Sequence, residues 1–319
     1  MKPFLKKILF YSVIISLYFI VTASYNYSLD PYGILGTRNE FNGVRPNSHS
    51  LKVSHVLRSG AKFNSFLFSN SKGGILHFNQ LNNDRDSWYN MTYSLGTPEE
   101  FLADILMFLE NNIKIKNIVV GLDESTIYER ASTHENQASR KFISIKDSEI
   151  NYEYLFLPIS INKNLNKDLN KKYIAYDFFN DGNYYEKNAY ALNCDSIEQL
   201  EMVSYAKEAT RVNLNFSSKI ETFKKIKSLC NKYNIDLTYM VHPSSYDNYH
   251  SSTEKRTQLN VLIKEIKNSR IELFEPFEQK LIINNSCYWR DNHHYTKKIG
   301  DSILQLYKKY KFEKAKNNS

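Results

Sequence analysis

The sequence is poor in the residues that build metal-bound or cross-linked scaffolds. Only three cysteines occur in 319 residues, at positions Cys194, Cys230 and Cys287. Three cysteines are too few for a disulfide framework, and the absence of a C-x-x-C spacing argues against a structural zinc site. In an oxidising compartment two of them could pair and leave one free, or all three could remain reduced in the core.

A dense basic block and an internal repeat are also missing. The formal net charge of +8 comes from lysines scattered among Asn, Tyr and Ser, so the sequence predicts no nucleic-acid partner. The hydrophobic fraction of 42% and the charged fraction of 24% are those of a globular chain that can bury a sizeable core. The length fits one α/β domain with insertions.

The N-terminus has a basic flank followed by an apolar run. Lys2, Lys6 and Lys7 precede the uncharged stretch 8–23, whose length lies between a signal-peptide core and a full membrane span. Val21-Thr22-Ala23 could serve a signal peptidase, but the aromatic residues that follow favour an uncleaved anchor. A buried helix of a soluble protein is the third alternative. Because the lysines precede the run, the N-terminus should be cytoplasmic and the rest of the chain outside.

These features predict a division of the chain into four parts. Residues 1–24 form the anchor or signal, and 25–51 form a linker with turn-forming sequences. An α/β domain occupies 52–312, and 313–319 form a tail. Within the domain, the polar and Asn/Lys-rich stretch of about 131–190 is predicted to be an insertion or lid.

Apolar runs at 65–68, 118–122 and 235–241 predict strands that are covered on both faces, as in a parallel sheet. A helix that begins after Thr97 precedes the second run, and a helix lined by apolar residues from Ile220 to Tyr233 precedes the third. This order of helix and strand predicts a doubly wound parallel α/β sheet, three-layered and flavodoxin-like, with an N-terminal transmembrane helix.

Polar residues follow these strands, where active groups gather in open α/β sheets. Ser71 follows the first strand, Asp123 the second and His242 the third. Near the C-terminus, Asp291 and His294 lie in a turn before a helix predicted from about Lys297 to Lys309. An Asp three residues before a His can orient and stabilise the imidazole as in a catalytic triad.

These residues resemble the sequence blocks of SGNH hydrolases. The blocks occur in the family's order: Ser69-Asn70-Ser71-Lys72, Asn90 through Gly96, Gly121-Leu122-Asp123, and Asp291-x-x-His294-Tyr295 followed by Ile299-Gly300-Asp301. The similarity spans most of the chain from the anchor to Leu306, except the insertion. More closely, the chain resembles membrane-anchored SGNH-type proteins of bacterial cell-surface polysaccharide modification, the group with alginate O-acetylation and teichoic-acid D-alanylation proteins.

The resemblance implies Ser71 as nucleophile, His294 as general base and Asp291 as the carboxylate that orients it. It implies no metal and no organic cofactor. Three further residues are predicted to contact the oxyanion or substrate: Gly96, Asn90 and His242. The Ser71 backbone N–H is a further candidate donor to the oxyanion. Asn90 could equally be a turn residue, and His242 could be structural.

Two positions depart from the family's pattern. Ser69 stands where the family usually has Gly, which makes it the nearest substitute nucleophile. Asp123 stands where the family offers an Asn, and a carboxylate that pointed into the site would repel an oxyanion. His293 is an alternative to His294 as the working histidine.

The sequence therefore predicts a membrane-tethered SGNH-type esterase or O-acyltransferase that acts on a cell-surface polysaccharide. The alternative is a catalytically inactive SGNH-like protein that binds glycan or scaffolds a polysaccharide modification or export complex. The implied partners are the polysaccharide or acyl donor, the membrane, and a membrane-bound O-acyltransferase. The implied location is the bacterial cytoplasmic membrane, with a single span and the domain facing the periplasm.

Overall fold

The computed structural model divides the chain into two compact units. One unit comprises Met1–His55 and His134–Lys172, and the other comprises Val56–Thr133 and Tyr173–Ser319. The structure describes residues 2–35, 47–128, 131, 152–158, 174–186, 216–245, 253–276, 288–291 and 293–317.

Eight helices and seven strands are present in these described residues. The helices are α1 (Lys2–Leu29), α2 (Ser48–Ser59), α3 (Pro98–Glu110), α4 (Glu124–Tyr128), α5 (Tyr152–Leu155), α6 (Phe216–Lys232), α7 (Thr253–Asn268) and α8 (Lys297–Asn317). The strands are β1 (Ser65–Phe68), β2 (Trp88–Asn90), β3 (Asn117–Leu122), β4 (Ile174–Tyr176), β5 (Tyr184–Glu186), β6 (Asp236–Val241) and β7 (Glu272–Phe274).

In the first unit, α1 is the one described helix that is long and apolar enough to cross a membrane, by length and composition. It could be a membrane anchor or a signal sequence. The helix continues past the predicted run, and its end joins α5. The Asn26 side chain donates hydrogen bonds to the Leu155 carbonyl at 2.9 Å and the Leu157 carbonyl at 2.8 Å. The Tyr154 hydroxyl donates to the Asp30 carboxylate at 2.7 Å.

In the second unit, five strands form one sheet in the order β2-β1-β3-β6-β7. Every pair is parallel, and the order is that of flavodoxin-like doubly wound folds. The predicted fold class is therefore confirmed, including the prediction that the strands ending at Phe68, Leu122 and Val241 are neighbours. Strands β2 and β7 have no recognisable sequence pattern, because a strand of three residues is too short to show one.

Helices cover both faces of this sheet. Successive strand residues point to opposite faces, so the apolar residues of β1 pack against helices on both sides. Phe66 and Phe68 pack against Phe108 and Phe101 of α3, with ring centroids 5.2 and 5.9 Å apart. Leu67 lies on the other face, in a buried cluster that extends along the sheet and onto α8. Its members include Val119, Met240, Phe274, Ile299, Ile303, Leu304 and Tyr307.

Helix α3 begins as its sequence predicts. The Thr97 side chain accepts a hydrogen bond from the Glu100 N–H, the Glu100 side chain accepts one from the Thr97 N–H, and Pro98 occupies the first turn. This capping box satisfies donors that would otherwise be left unpaired at the helix start. At the other end of the chain, α8 runs to Asn317, beyond the predicted limit of Lys309 and into the predicted tail.

Part of the predicted insertion packs against the sheet. Strands β4 and β5 form an antiparallel pair, and the turn between them contacts β2. The Asn90 N–H donates to the Asp181 carbonyl at 2.9 Å, and the Tyr89 hydroxyl donates to the Phe178 carbonyl at 2.7 Å. Most of the rest of the 131–190 stretch lies outside the described residues, and the predicted domain boundaries stay predictions.

Candidate active site

Ser71, His294 and Asp291 form a chain of hydrogen bonds beyond the carboxyl end of β1. Ser71 Oγ lies 2.8 Å from His294 Nε2, and His294 Nδ1 lies 2.9 Å from both carboxylate oxygens of Asp291. With the Nδ1 proton directed to the carboxylate, Nε2 is left to accept the serine proton. The structure therefore brings together the three residues that the sequence predicts as catalytic, in the order that a triad requires.

The turn that carries His294 is fixed by its own backbone. The Arg290 N–H donates to the His294 carbonyl at 2.7 Å, and Trp289 and Tyr295 pair as an antiparallel bridge. Both of these aromatic side chains are buried. The aromatic pair anchors the turn in the core while the histidine between them reaches the surface.

The Asp291 carboxylate is held in its charged form. It accepts hydrogen bonds from the backbone N–H groups of His293 at 2.8 Å and His294 at 2.7 Å. Burial by itself raises the pKa of Asp291, but these bonds and the His294 side chain outweigh it and leave the pKa below its usual range. The carboxylate is therefore ionised at neutral pH and can stabilise an imidazolium at His294.

Ser71 is the first residue of a short 3-10 helix, Ser71–Ile75, whose position is stabilised by hydrogen bonds from the Asn90 side chain. The Asn90 amide donates to the Gly73 carbonyl at 3.0 Å and the Leu76 carbonyl at 3.1 Å, and its carbonyl oxygen accepts from the Thr92 N–H at 2.9 Å. These bonds direct the buried Asn90 side chain into the protein. Its predicted contact with substrate stays a prediction.

Lys72 and Asp123 form an ion pair beside the nucleophile loop. Lys72 Nζ lies 3.1 Å from the Asp123 carboxylate and 3.6 Å from Glu124, and Lys72 and Asp123 are almost fully buried. Asp123 also accepts hydrogen bonds from the Asn70 amide at 2.7 Å and from the Thr126 N–H at 2.8 Å. Burial opposes the charge of Asp123, but Lys72 and these donors hold its pKa below the usual range. The carboxylate is thus paired within the loop, which answers the concern that it would repel an oxyanion.

A second serine–histidine pair lies beneath the first. Ser69 Oγ is 2.7 Å from His242 Nε2, and His242 Nδ1 is 3.0 Å from the Tyr295 hydroxyl. All three side chains are buried. Burial lowers the pKa of His242 to about 3, with Lys72 adding to the effect and Asp123 opposing it. His242 is therefore neutral at physiological pH, and its predicted contact with substrate stays a prediction.

Glycines make room for this buried pair. A Cβ atom on Gly121 would lie 2.3 Å from His242 Nε2 and 2.5 Å from Ser69 Oγ, and one on Gly73 would lie 2.6 Å from Ser69 Cβ. Such distances are well inside van der Waals contact, so side chains at these positions would displace the serine or the histidine. Two glycines are thus part of what keeps Ser69 hydrogen-bonded to His242.

The predicted oxyanion donors differ in what they contact. The Gly96 N–H donates to the Tyr93 carbonyl at 3.3 Å, which directs it into a turn. The Ser71 N–H has no acceptor in the described part of the chain. Of these two donors, the Ser71 N–H is therefore the one available to a ligand, and the oxyanion roles of Ser71 and Gly96 stay predictions.

Sequence reasoning missed Tyr184, which lies in the predicted insertion. Its hydroxyl donates to the Ser71 carbonyl at 2.7 Å, and its ring lies over Gly74, where a Cβ would approach within 1.6 Å of it. The signal that could have found it is weak, because one tyrosine among 24 carries no pattern. Within the described residues, no group of His, Cys, Asp and Glu side chains could hold a metal ion.

Comparisons with known proteins give distant structural likenesses. No protein-family model matches the sequence, and no curated protein matches it either. Several solved structures are similar to it, including the following three. A GDSL-like lipase from Bacteroides thetaiotaomicron has 10% identity and a TM-score of 0.44, and the match covers 84% of this chain and 99% of that one. A protein from Streptococcus pneumoniae described as a platelet-activating factor has 10% identity and a TM-score of 0.43, over 83% and 90% of the two chains.

The third structure is a protein from Bacteroides fragilis described as an acylhydrolase. It has 8% identity and a TM-score of 0.42, and the match covers 77% of this chain and 85% of that one. Likenesses at this level are too distant to assign an activity to this chain.

The buried hydrogen bond between His242 and Tyr295 leads to a test of stability. Tyr295→Phe removes the only hydroxyl partner of His242 Nδ1 in the described residues and leaves a buried ring nitrogen unpaired. We expect a loss of about 1–3 kcal/mol in the free energy of unfolding. Urea denaturation of the detergent-solubilised full chain, followed by fluorescence, measures it.

Tyr233→Phe is the matched control, because the same hydroxyl is removed from a side chain that is 47% exposed. Its free energy of unfolding should stay within about 0.5 kcal/mol of the parent protein. Equal stabilities of the two variants would show that the Tyr295 hydroxyl contributes nothing to holding His242.

Proposed function

We propose that this protein is an SGNH-type esterase or O-acyltransferase that acts on a bacterial cell-surface polysaccharide. The observation that carries the proposal is the hydrogen-bonded chain from Ser71 through His294 to Asp291. The resemblance of the sequence blocks to membrane-anchored SGNH-type proteins supports the polysaccharide as substrate. A membrane-bound O-acyltransferase is the proposed source of the acyl group.

The first half of the reaction forms an acyl-enzyme. Ser71 Oγ attacks the carbonyl carbon of the acyl donor while His294 Nε2 takes the hydroxyl proton. The carbonyl oxygen becomes an oxyanion, and the Ser71 N–H is the proposed hydrogen-bond donor to it. The tetrahedral intermediate then collapses, the bond to the leaving group breaks, and the imidazolium of His294 returns the proton to that leaving group.

The second half releases the acyl group. A sugar hydroxyl, or water, gives its proton to His294 and attacks the ester on Ser71. The bond between Ser71 Oγ and the acyl carbon breaks, and His294 returns the proton to the serine. Transfer and hydrolysis therefore use the same residues and differ only in which hydroxyl reaches the acyl-enzyme.

The environments of the two serines favour Ser71 over Ser69 as the nucleophile. Ser69 is fully buried, and its partner His242 has a neighbouring phenol in place of a carboxylate. The pKa of about 3 at His242, which burial causes, makes that ring a poor proton acceptor at neutral pH. His294 instead has an ionised carboxylate behind it and a side chain that is 22% exposed, so it can meet both substrate and solvent.

We further propose that α1 is an uncleaved membrane anchor with the sheet domain outside. In the first unit, the end of α1 is bound to α5 through Asn26 and Asp30. The Phe19 ring also packs edge-on against Phe156, with centroids 5.5 Å apart. Cleavage after Ala23 would separate Phe19 from this contact, which supports retention of the helix. Lys2, Lys6 and Lys7 support a cytoplasmic N-terminus.

The triad proposal predicts a strongly non-additive set of variants. Ser71→Ala and His294→Ala should each reduce kcat/KM for p-nitrophenyl acetate by about 10³-fold or more, and the double variant should lose little beyond either one. The reason is that Ser71 and His294 act in the same step, in which the histidine takes the proton of the attacking serine. Steady-state kinetics of the full chain in detergent measures this.

Two further variants control for fold and for the choice of histidine. Ser302→Ala, on α8, removes a hydroxyl whose one hydrogen bond within the described residues is to the Lys298 carbonyl, and it should retain the parent rate. His293→Ala should lose much less than His294→Ala. Full activity in Ser71→Ala would refute Ser71 as the nucleophile. A parent protein that is inactive with every acyl donor tested would favour the non-catalytic glycan-binding or scaffold alternative.

The topology is tested with reporters fused to the C-terminus of the chain. Alkaline phosphatase, which is active only after export, should be active in this fusion, and green fluorescent protein should be dark. Replacing Lys2, Lys6 and Lys7 by Gln should reduce phosphatase activity, because the charge difference that orients the helix is lost. A fluorescent fusion with inactive phosphatase would place the domain in the cytoplasm and refute the topology.

A further inference from the structure

Arg290 lies beside the triad, and its guanidinium has one aromatic and one charged neighbour. Its guanidinium carbon is 5.9 Å from the centre of the Tyr184 ring, and its Nε is 3.7 Å from an Asp291 carboxylate oxygen. That distance is too long for a hydrogen bond. Within the described residues, the guanidinium donates no hydrogen bond, although its side chain is only 17% exposed.

A guanidinium that has little exposure and donates no hydrogen bond within the described residues is suited to bind a ligand. Arginine has five N–H donors in a rigid fork, and leaving them unpaired away from water is unfavourable. The cation–π contact with Tyr184 does not use the N–H donors, which lie along the edge of the group. The edge is the part that binds a carboxylate or phosphate through two parallel hydrogen bonds.

The neighbours of Arg290 are in contact with the candidate catalytic residues. Tyr184, whose ring lies beneath its guanidinium, donates a hydrogen bond to the Ser71 carbonyl. Asp291, the next residue in the chain, is hydrogen-bonded to His294. The backbone N–H of Arg290 donates to the His294 carbonyl, so its position is tied to that of the catalytic base.

We propose that Arg290 binds an anionic group of the substrate, a carboxylate or a phosphate, and so selects an acidic glycan or acyl donor. The inference rests on the proposed function, because it assigns a substrate class to the same site. Asp291 is ionised and lies 3.7 Å from Arg290 Nε, so it offsets part of the arginine charge. The N–H groups on the two terminal nitrogens of Arg290 are the donors proposed to bind the anion.

The test measures binding of sugars that carry no ester, so that it does not depend on turnover. Methyl glucuronide, glucose 1-phosphate and methyl glucoside are titrated into the full chain in detergent and followed by ligand-observed NMR. We expect one charged sugar to bind about tenfold or more tightly than the neutral one. The arm that shows the preference identifies the anion as carboxylate or phosphate.

Variants assign the preference to Arg290. Arg290→Gln should lose the tenfold preference, and Arg290→Lys should keep part of it, because it retains the charge without the fork. Lys298→Gln is the charge-matched control: this exposed lysine lies over Tyr288, outside the triad, and its loss should leave the preference intact. Thermal melting of each variant confirms that it is folded.

The possible outcomes separate this inference from the proposed function. Equal binding of charged and neutral sugars by the parent protein, or a preference that survives Arg290→Gln, would overturn the role of Arg290. Hydrolysis of p-nitrophenyl acetate is measured on the same samples. Esterase activity without an anion preference refutes only the inference, whereas a preference lost in Arg290→Gln without activity supports the inference and counts against the enzyme.

Discussion

The geometry of the candidate site depends on a buried ion pair between Lys72 and Asp123. Lys72 Nζ lies 3.1 Å from the Asp123 carboxylate, and both side chains are almost fully buried. Removing one partner of a buried ion pair leaves the other charge unpaired, at a cost of about 3–5 kcal/mol. Asp123 also holds the Asn70 amide and the first turn of α4. Ser71 lies between Asn70 and Lys72, so the residues on both sides of it are fixed by one carboxylate.

The second constraint is the connection between the nucleophile loop and the histidine turn. Ser71 reaches His294 at the surface, and Ser69 reaches Tyr295 through His242 in the core. Two serines two positions apart are thus connected to two adjacent residues of the turn, one directly and the other through His242. The lower connection is neutral and enclosed, which suits it to positioning. The upper connection has a carboxylate and access to solvent, which suits it to proton transfer.

The sequence predicts the parts of this arrangement that depend on local pattern. Apolar runs located β1, β3 and β6, and the Asp-x-x-His spacing together with the resemblance selected Ser71, Asp291 and His294. Contacts between distant residues could not be predicted this way. Ser69 and His242 are 173 positions apart, and neither Lys72 as the partner of Asp123 nor Tyr184 as the partner of Ser71 has a local signal. From the sequence, Asp123 is therefore expected to repel an oxyanion. In the structure its carboxylate is paired with Lys72.

The central claim is that Ser71, and no other serine, is the nucleophile that His294 activates. Labelling the full chain with a fluorophosphonate, which reacts with activated serines, and locating the adduct by mass spectrometry tests this most directly. The account predicts a single adduct on Ser71 that disappears in His294→Ala and persists in His242→Ala. An adduct on Ser69, or labelling of Ser71 that does not depend on His294, would contradict it.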